Sequence, residues 1–198
     1  MVTEVSKEVL ILGGTGAIGV DCCKLLSDKD VLVTVTSRQK RESYGNVRFV
    51  QGNAKDGEFI KSIVRLKKWD AIIDFLVYSV EEFKERMCLL LANTKQYLFL
   101  SSARVYAETT GLITEDTIRY IELERTNLLD DKSYPIAKAL CEELLVKSGY
   151  KNWTIIRPRT TYNIERLDFT NLRKEEWLYR AINNKTVVVS EDLLSKRF

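Results

Sequence analysis

The 198-residue chain predicts an α/β fold, a doubly wound parallel sheet with helices on both faces. Three observations carry this expectation. Short apolar runs alternate regularly with amphipathic helical stretches from Val9 to Leu100. The first two of these elements are joined by a glycine turn, Gly13, Gly16 and Gly19, spaced G-x-x-G-x-x-G. Val31 to Thr36 reads V-L-V-T-V-T, a β-branched run suited to a strand buried on both sides.

Taken in order, Val9 to Leu12 is the first strand and Ala17 to Leu26 the first helix. Val31 to Thr36 is the second strand and Val47 to Gln51 the third. Asp56 is placed to cap a helix whose inner face is Phe59, Ile60, Ile63 and Leu66. Trp69 and Asp70 lead into a fourth strand, Ala71 to Val77. Ser79 caps the next helix, with Val80, Phe83, Met87 and Leu90 as its stripe, and Tyr97 to Leu100 is the fifth strand. Arg104 to Lys132 breaks the rhythm with a connection long enough to imply a role at a cleft. Helical pattern returns from Ser133 to Ser148, and Trp153 to Ile156 is the sixth strand, ended by Pro158. Leu172 to Ile182 is amphipathic, and Thr186 to Val189 reads as a short strand. The expected division is a main domain over 1–158 and part of a smaller lobe over 159–198.

Hydrophobic residues make up 45% of the chain, enough for one full core and part of a second. A net charge of +3, with basic residues dispersed apart from Arg38-Gln39-Lys40-Arg41 and Lys67-Lys68, gives no footprint for nucleic acid. No apolar stretch is long enough to span a membrane, and Met1 to Glu8 lacks the shape of a signal peptide, so the expected location is the cytoplasm. Cys22, Cys23, Cys88 and Cys141 form no C-x-x-C, and reduced, mostly buried thiols are expected. The chain has no histidine, which excludes His-based triads and zinc-hydrolase sites; no metal site is expected.

A glycine turn between strand and helix is the context for binding a dinucleotide. It allows a tight turn, close approach of backbone to a pyrophosphate, and close packing of helix on strand. Gly13, Thr15, Gly16, Ala17, Ile18 and Gly19 are therefore candidate cofactor contacts. Tyr134 and Lys138 form Y-x-x-x-K, four residues apart on one helical face. An ammonium beside a phenol favours the phenolate, which then exchanges a proton with a substrate hydroxyl. Ser101 and Ser102 follow the fifth strand, where a hydroxyl donates to the substrate oxygen.

S-S-A-R-V-Y at Ser101 to Tyr106, with the glycine turn and Y-x-x-x-K, resembles the extended, epimerase-like branch of the short-chain dehydrogenase/reductase superfamily, the NAD-dependent epimerase/dehydratase family. That resemblance implies a Rossmann-type sheet and a catalytic trio of Ser102, Tyr134 and Lys138, with Lys138 also touching cofactor. It further implies cofactor contacts at Asn53, Ala54, Phe75 and Leu76, and substrate contacts at Arg104, Tyr106 and Arg157. Asn53 replaces the family's usual Asp; a hydrogen bond to adenine and a turn-forming role both remain open for it. Ala103 and Arg104 stand where dehydrating members carry Asp-Glu, which disfavours dehydration. Asn163 and Ile164 replace the family's Gly-Pro after Tyr162. The implied reaction is epimerisation of a nucleotide-linked sugar through a keto intermediate. A reductase of small carbonyl compounds and a non-catalytic dinucleotide-binding protein are the alternatives. The resemblance also implies a homodimer pairing through the helices after strands four and five.

The cofactor corner reads Val35-Thr36-Ser37-Arg38, with no carboxylate to take both ribose hydroxyls. Ser37 and Arg38, backed by Lys40 and Arg41, suit a 2′-phosphate, so NADP is expected over NAD.

Overall fold

Glu8–Leu12 forms the first strand, β1, at the centre of the sheet. Side chains alternate along a strand, so Leu10 and Leu12 face one side and Val9 and Ile11 the other. All four are buried, which is possible only if both faces of the sheet are covered. The computed structural model describes residues 6–123, 133–159, 161–162, 167, 172–189 and 191.

The remaining strands are β2 (Leu32–Ser37), β3 (Val47–Gln51), β4 (Trp69–Asp74), β5 (Thr94–Leu100) and β6 (Trp153–Ile156). They form one sheet in the order β3-β2-β1-β4-β5-β6, and every pairing is parallel. The helices are α1 (Ala17–Ser27), α2 (Gly57–Val64), α3 (Val80–Ala92), α4 (Tyr120–Leu123), α5 (Tyr134–Lys147) and α6 (Lys174–Ile182). This is the Rossmann-type arrangement the alternation predicts.

The two faces are covered unequally. Leu10 and Leu12 pack with Ile60 and Val64 of α2, Phe83 and Leu90 of α3, and Cys141 and Leu145 of α5. Val9 and Ile11 pack with Cys23 of α1 and with Val33, Val35 and Val47. β2 reaches β3 through a loop rather than a helix, closed by a Tyr44–Val47 bridge. A third cluster, Val105, Tyr106, Ile121, Ile136 and Ala139, ties the segment after β5 to α5.

Asp56 caps α2 by accepting from Phe59 N at 2.8 Å, and Ser79 and Glu82 form a capping box on α3. Three local expectations are corrected. α2 stops at Val64, so Leu66 lies beyond it and is 68% exposed instead of lining the core. β4 stops at Asp74 instead of Val77, because the Asp74 carboxylate accepts from Leu76 N at 3.0 Å and turns the chain out of the ladder. Residues 186–189 form no strand; Arg180 Nε instead donates to Thr186 O at 2.7 Å, drawing the chain back on the end of α6. All four cysteines are free; Cys23 and Cys141 are buried, Cys22 is half-buried and Cys88 is exposed.

The chain divides into two compact units, Met1–Arg159 and Thr160–Phe198. In the second, Trp177 of α6 donates through Nε1 to Leu167 O at 2.6 Å. Asn163 and Ile164 lie outside the described residues. No described helix is long and apolar enough to cross a membrane.

Gly19 tests the packing of α1 on the glycine turn. A Cβ there would lie 2.5 Å from Gly14 backbone atoms, which no side-chain rotation relieves. Gly19→Ala is expected to lower stability by about 1–3 kcal/mol. Urea denaturation checks this, and an unchanged midpoint would refute the close contact.

Candidate functional site

The C-terminal ends of the central strands finish in register. Leu12 pairs with Asp74, Asp74 with Phe99, and Leu100 with Ile156. The chain leaves β1 toward β2 on one side while β4 lies on the other, so a crevice opens at the end of β1. The glycine turn sits there. Gly13 has a φ of 73°, and a Cβ on it would come within 2.9 Å of Leu76 Cδ2. Any side chain at Gly13 would therefore fill the crevice between the turn and the end of β4. Gly16 precedes α1 as its N-cap, and a Cβ built on it would meet nothing nearer than Gly13 O at 3.8 Å, leaving the helix start approachable.

Ser102, Tyr134 and Lys138 come from two elements that the segment after β5 brings together. Ser102 follows β5 and caps a 3-10 turn, Ala103–Val105; its Oγ accepts from Arg104 N at 3.2 Å, which leaves its own proton to donate. Tyr134 opens α5, is 38% exposed, and lies beneath the Arg104 guanidinium at 5.8 Å. Lys138, one turn further, is buried. Its Nζ donates to Leu100 O at 2.6 Å and Leu76 O at 3.1 Å, spanning the ends of β5 and β4. Burial pushes its pKa down. Neighbouring Ser101 is buried, and its Oγ has no hydrogen-bond partner among the described residues.

Sequence reasoning missed Asp74. It ends β4 fully buried, and its Oδ2 accepts from Tyr97 Oη at 2.8 Å and Tyr78 Oη at 2.9 Å. Burial pushes the Asp74 carboxyl up, opposed by these hydrogen bonds and by Lys138. Burial pushes both phenols well above their ordinary value, so they act as donors. A carboxylate closing the apolar run Ala71 to Ile73 was the available signal.

Arg157 and Tyr106, both expected to meet substrate, meet each other: Arg157 Nη1 donates to Tyr106 Oη at 2.6 Å. Arg157 also grips the fully buried Glu142, Nε to Oε1 at 2.9 Å and Nη2 to Oε2 at 2.8 Å. This two-pronged hydrogen bonding raises the Arg157 pKa. Arg119 Nη1 adds a third cationic donor to Glu142 at 3.2 Å, while its Nε and Nη2 hold Glu122. The network fastens β6, α5 and the long connection together. Arg104, the other expected substrate contact, is exposed above Tyr134.

At the far side of the crevice, Ser37 is buried and spends its hydroxyl proton on Gln39 O at 2.8 Å. Arg38 is exposed beside it. Asn53 Oδ1 accepts from Lys55 N at 3.1 Å, which forms the turn and leaves its amide group with further hydrogen-bonding capacity. The buried Arg86 braces this turn, donating to Ala54 O and Lys55 O at 3.3 Å each. Phe75 and Leu76 are half-buried at the end of β4. A recess of about 260 Å³ lies against the glycine turn, lined by Gly14, Thr15, Val20, Arg41, Glu42 and Tyr44 among others. Burial pushes Cys23 and Cys141 up to about 12, which excludes both as thiolate nucleophiles near neutral pH. Among the described residues no group of acidic, Cys or His side chains could hold a metal ion.

A parallel sheet of this order with a glycine turn at its switch point is the Rossmann-type fold, the class of fold in which such a turn takes a dinucleotide. The model of the NAD dependent epimerase/dehydratase family matches residues 9–197, and the chain belongs to that family. It is 28% identical over 191 residues to the chloroplast stem-loop binding protein of 41 kDa b of Arabidopsis thaliana, covering 89% of this chain and 47% of the relative. It is 33% identical over 132 residues to a UDP-glucose 4-epimerase of Lactobacillus helveticus, covering 56% of this chain and 40% of that one. The chain thus spans about half the length, or less, of these curated relatives. Among solved structures, the Bordetella bronchiseptica enzyme WbmG in complex with NAD superposes with a TM-score of 0.70 at 15% identity, over 94% of this chain and 63% of that one. A UDP-glucose 4-epimerase superposes at 0.61 with 19% identity, over 92% and 62%.

The family depends on a nicotinamide dinucleotide, and the residues present fit one. The crevice at Gly13, the approachable helix start at Gly16 and the unpartnered Ser101 hydroxyl together offer space, backbone donors and a polar contact.

Glu142 is the keystone of the network around Arg157. Glu142→Ala leaves two guanidinium groups without their buried carboxylate and is expected to cost about 3 kcal/mol. Thermal and urea denaturation check this, and a loss within error of zero would show that the network carries no stability.

Proposed function

We propose that this protein is an NAD(P)-dependent, epimerase-like oxidoreductase acting on a nucleotide-linked sugar through a keto intermediate. The observation that carries the reading is Lys138, bridging the ends of β4 and β5 one helical turn from Tyr134, with Ser102 capping the turn that packs on α5. The bound nicotinamide supplies hydride acceptance and return. Tyr134 takes the proton of the sugar hydroxyl and gives it back. Ser102 donates its free proton to the same oxygen and steadies the charge that develops there. Lys138 has three donors, two of which are used by main-chain carbonyls. The third serves a ribose hydroxyl of the cofactor, and its charge favours the Tyr134 phenolate. Arg104, above the Tyr134 ring, takes an anionic group of the substrate in this reading; its exposed guanidinium supports that role. The names of the similar proteins support a nucleotide-linked substrate: UDP-glucose 4-epimerase, and a WbmG complex holding NAD and UDP.

The proton-transfer assignment is tested with NAD and UDP-glucose as probes. Tyr134→Phe is expected to lower turnover by about 100- to 10,000-fold while leaving NADH affinity within about twofold. Coupled assay of the epimerised product and calorimetry with NADH read the two quantities. Near-normal turnover in Tyr134→Phe would remove the tyrosine from the mechanism.

A second reading, binding without turnover, is favoured by the longer match to the stem-loop binding protein. Cofactor binding by the parent protein with no conversion of UDP-glucose or of a small carbonyl compound would select it. Glu108, Glu115, Asp116, Glu122 and Glu124 in the long connection weigh against contact with a phosphate backbone.

In the cofactor, the reading favours a 2′-phosphate. Ser37 is committed to Gln39, so Arg38 carries this preference, with Arg41 lining the recess at the glycine turn. Arg38→Ala is expected to weaken NADPH about 10-fold and NADH much less, with the difference shrinking as salt is raised. Calorimetry with both reduced cofactors checks this; equal losses would reject Arg38 as the selecting group.

A further inference from the structure

Asp74 is a fully buried carboxylate that the proposed reaction does not use. Three donors surround it: the phenols of Tyr78 and Tyr97 on Oδ2 and Leu76 N on Oδ1. Leu76 is also where Lys138 is held, since Leu76 O accepts from Lys138 Nζ at 3.1 Å. One peptide turn therefore joins the two charges: carboxylate to Leu76 N–H, then Leu76 carbonyl to ammonium. Lys138 is buried too, and main-chain carbonyls offer it dipoles but no countercharge. A buried ammonium without a countercharge neutralises instead.

The other groups facing Lys138 supply less of that charge than Asp74. On α5, Glu142 is engaged by Arg157 and Arg119, and the Cys141 thiol, pushed up to about 12, is neutral near pH 7. From the turn after β3, Lys55 has the same sign and pairs with Glu82 at 3.0 Å. From β5, the Phe99 ring lies 4.6 Å from Nζ and contributes only its quadrupole. From α3, Arg86 faces Tyr78, its guanidinium 4.9 Å from the ring centroid.

We propose that Asp74 is a positioning residue for Lys138, serving as its buried countercharge and, through the turn at Leu76, as the anchor of its ammonium. Tyr78 and Tyr97 are the devices that keep the carboxylate ionised, since each donates to the charged form. The proposal takes Lys138 as the lysine of the proposed site, but its consequence concerns charge alone and holds without substrate. Burial lowers the Lys138 pKa, and the attraction of Asp74 opposes that fall. Attraction between the two is reciprocal, so each must shift the other's titration by the same amount.

The test uses the full chain labelled with carbon-13 at lysine Cε and aspartate Cγ, titrated by NMR, with the Lys138 signal assigned by its loss in Lys138→Met. Asp74→Asn is expected to lower the Lys138 midpoint by about one pH unit or more, and Glu142→Gln by less. Lys138→Met is expected to raise the Asp74 midpoint by a similar amount. A residue that only shaped the turn would leave both midpoints in place. An unchanged Lys138 midpoint in Asp74→Asn, or a larger fall in Glu142→Gln, overturns the proposal. Should Asp74→Asn fail to fold, the Asp74 midpoint in Lys138→Met decides: a rise supports the proposal and no change overturns it. The readout is ionisation rather than turnover, so it fails or succeeds separately from the assigned reaction.

Discussion

The site depends on a buried ammonium bonded to the ends of two adjacent strands. Lys138 reaches from α5 to Leu76 O, two residues past β4, and to Leu100 O, at the last residue of β5. Such a bond is worth having only where water is excluded, and Phe99, Cys141 and the α3 and α5 stripes exclude it. The same bond fixes the rotation of α5 and so the placement of Tyr134 one turn earlier. Core packing and site geometry are consequently a single arrangement, since α5 packs its Leu145 end into the core and presents its Tyr134 end at the crevice.

Two buried polar groups flank that lysine, and they behave differently. The Glu142 network is made of full charges matched by guanidinium forks, and it joins elements distant in sequence: Tyr106, Arg119 and Arg157. The Asp74 cluster meets its carboxylate with neutral donors and leaves its charge to act on Lys138. The first is a fastening, the second an electrostatic setting. Arg157 and Tyr106, for which the family resemblance implies substrate contact, are bonded to each other within the first of these networks.

The uneven cover of the sheet also bears on the cofactor. With no helix between β2 and β3, the loop after Arg38 folds over the start of α1, bounding a recess with Arg41, Glu42 and Tyr44. The charges available to a ribose or its phosphate are therefore loop charges, exposed to solvent and sensitive to salt. Arg86 supplies rigidity on the opposite side, holding the turn at Ala54 from α3.

By itself the sequence determined the sheet, its parallel sense and the position of the crevice. Period-two burial, β-branched runs and the spacing of Gly13, Gly16 and Gly19 are local properties, and local properties are legible in one dimension. The motif at Ser101 to Tyr106 and the i, i+4 pair Tyr134 and Lys138 were legible for the same reason. Only the tertiary structure decided who meets whom across long separations. Lys138 and Leu76 are 62 residues apart, Arg157 and Tyr106 51, and Tyr97 and Asp74 23. Element ends escaped as well, because β4 is stopped by a side chain, Asp74, whose bond to Leu76 N outcompetes the ladder. A pattern of apolar residues records which face is buried; it carries no record of which polar group waits there as a partner.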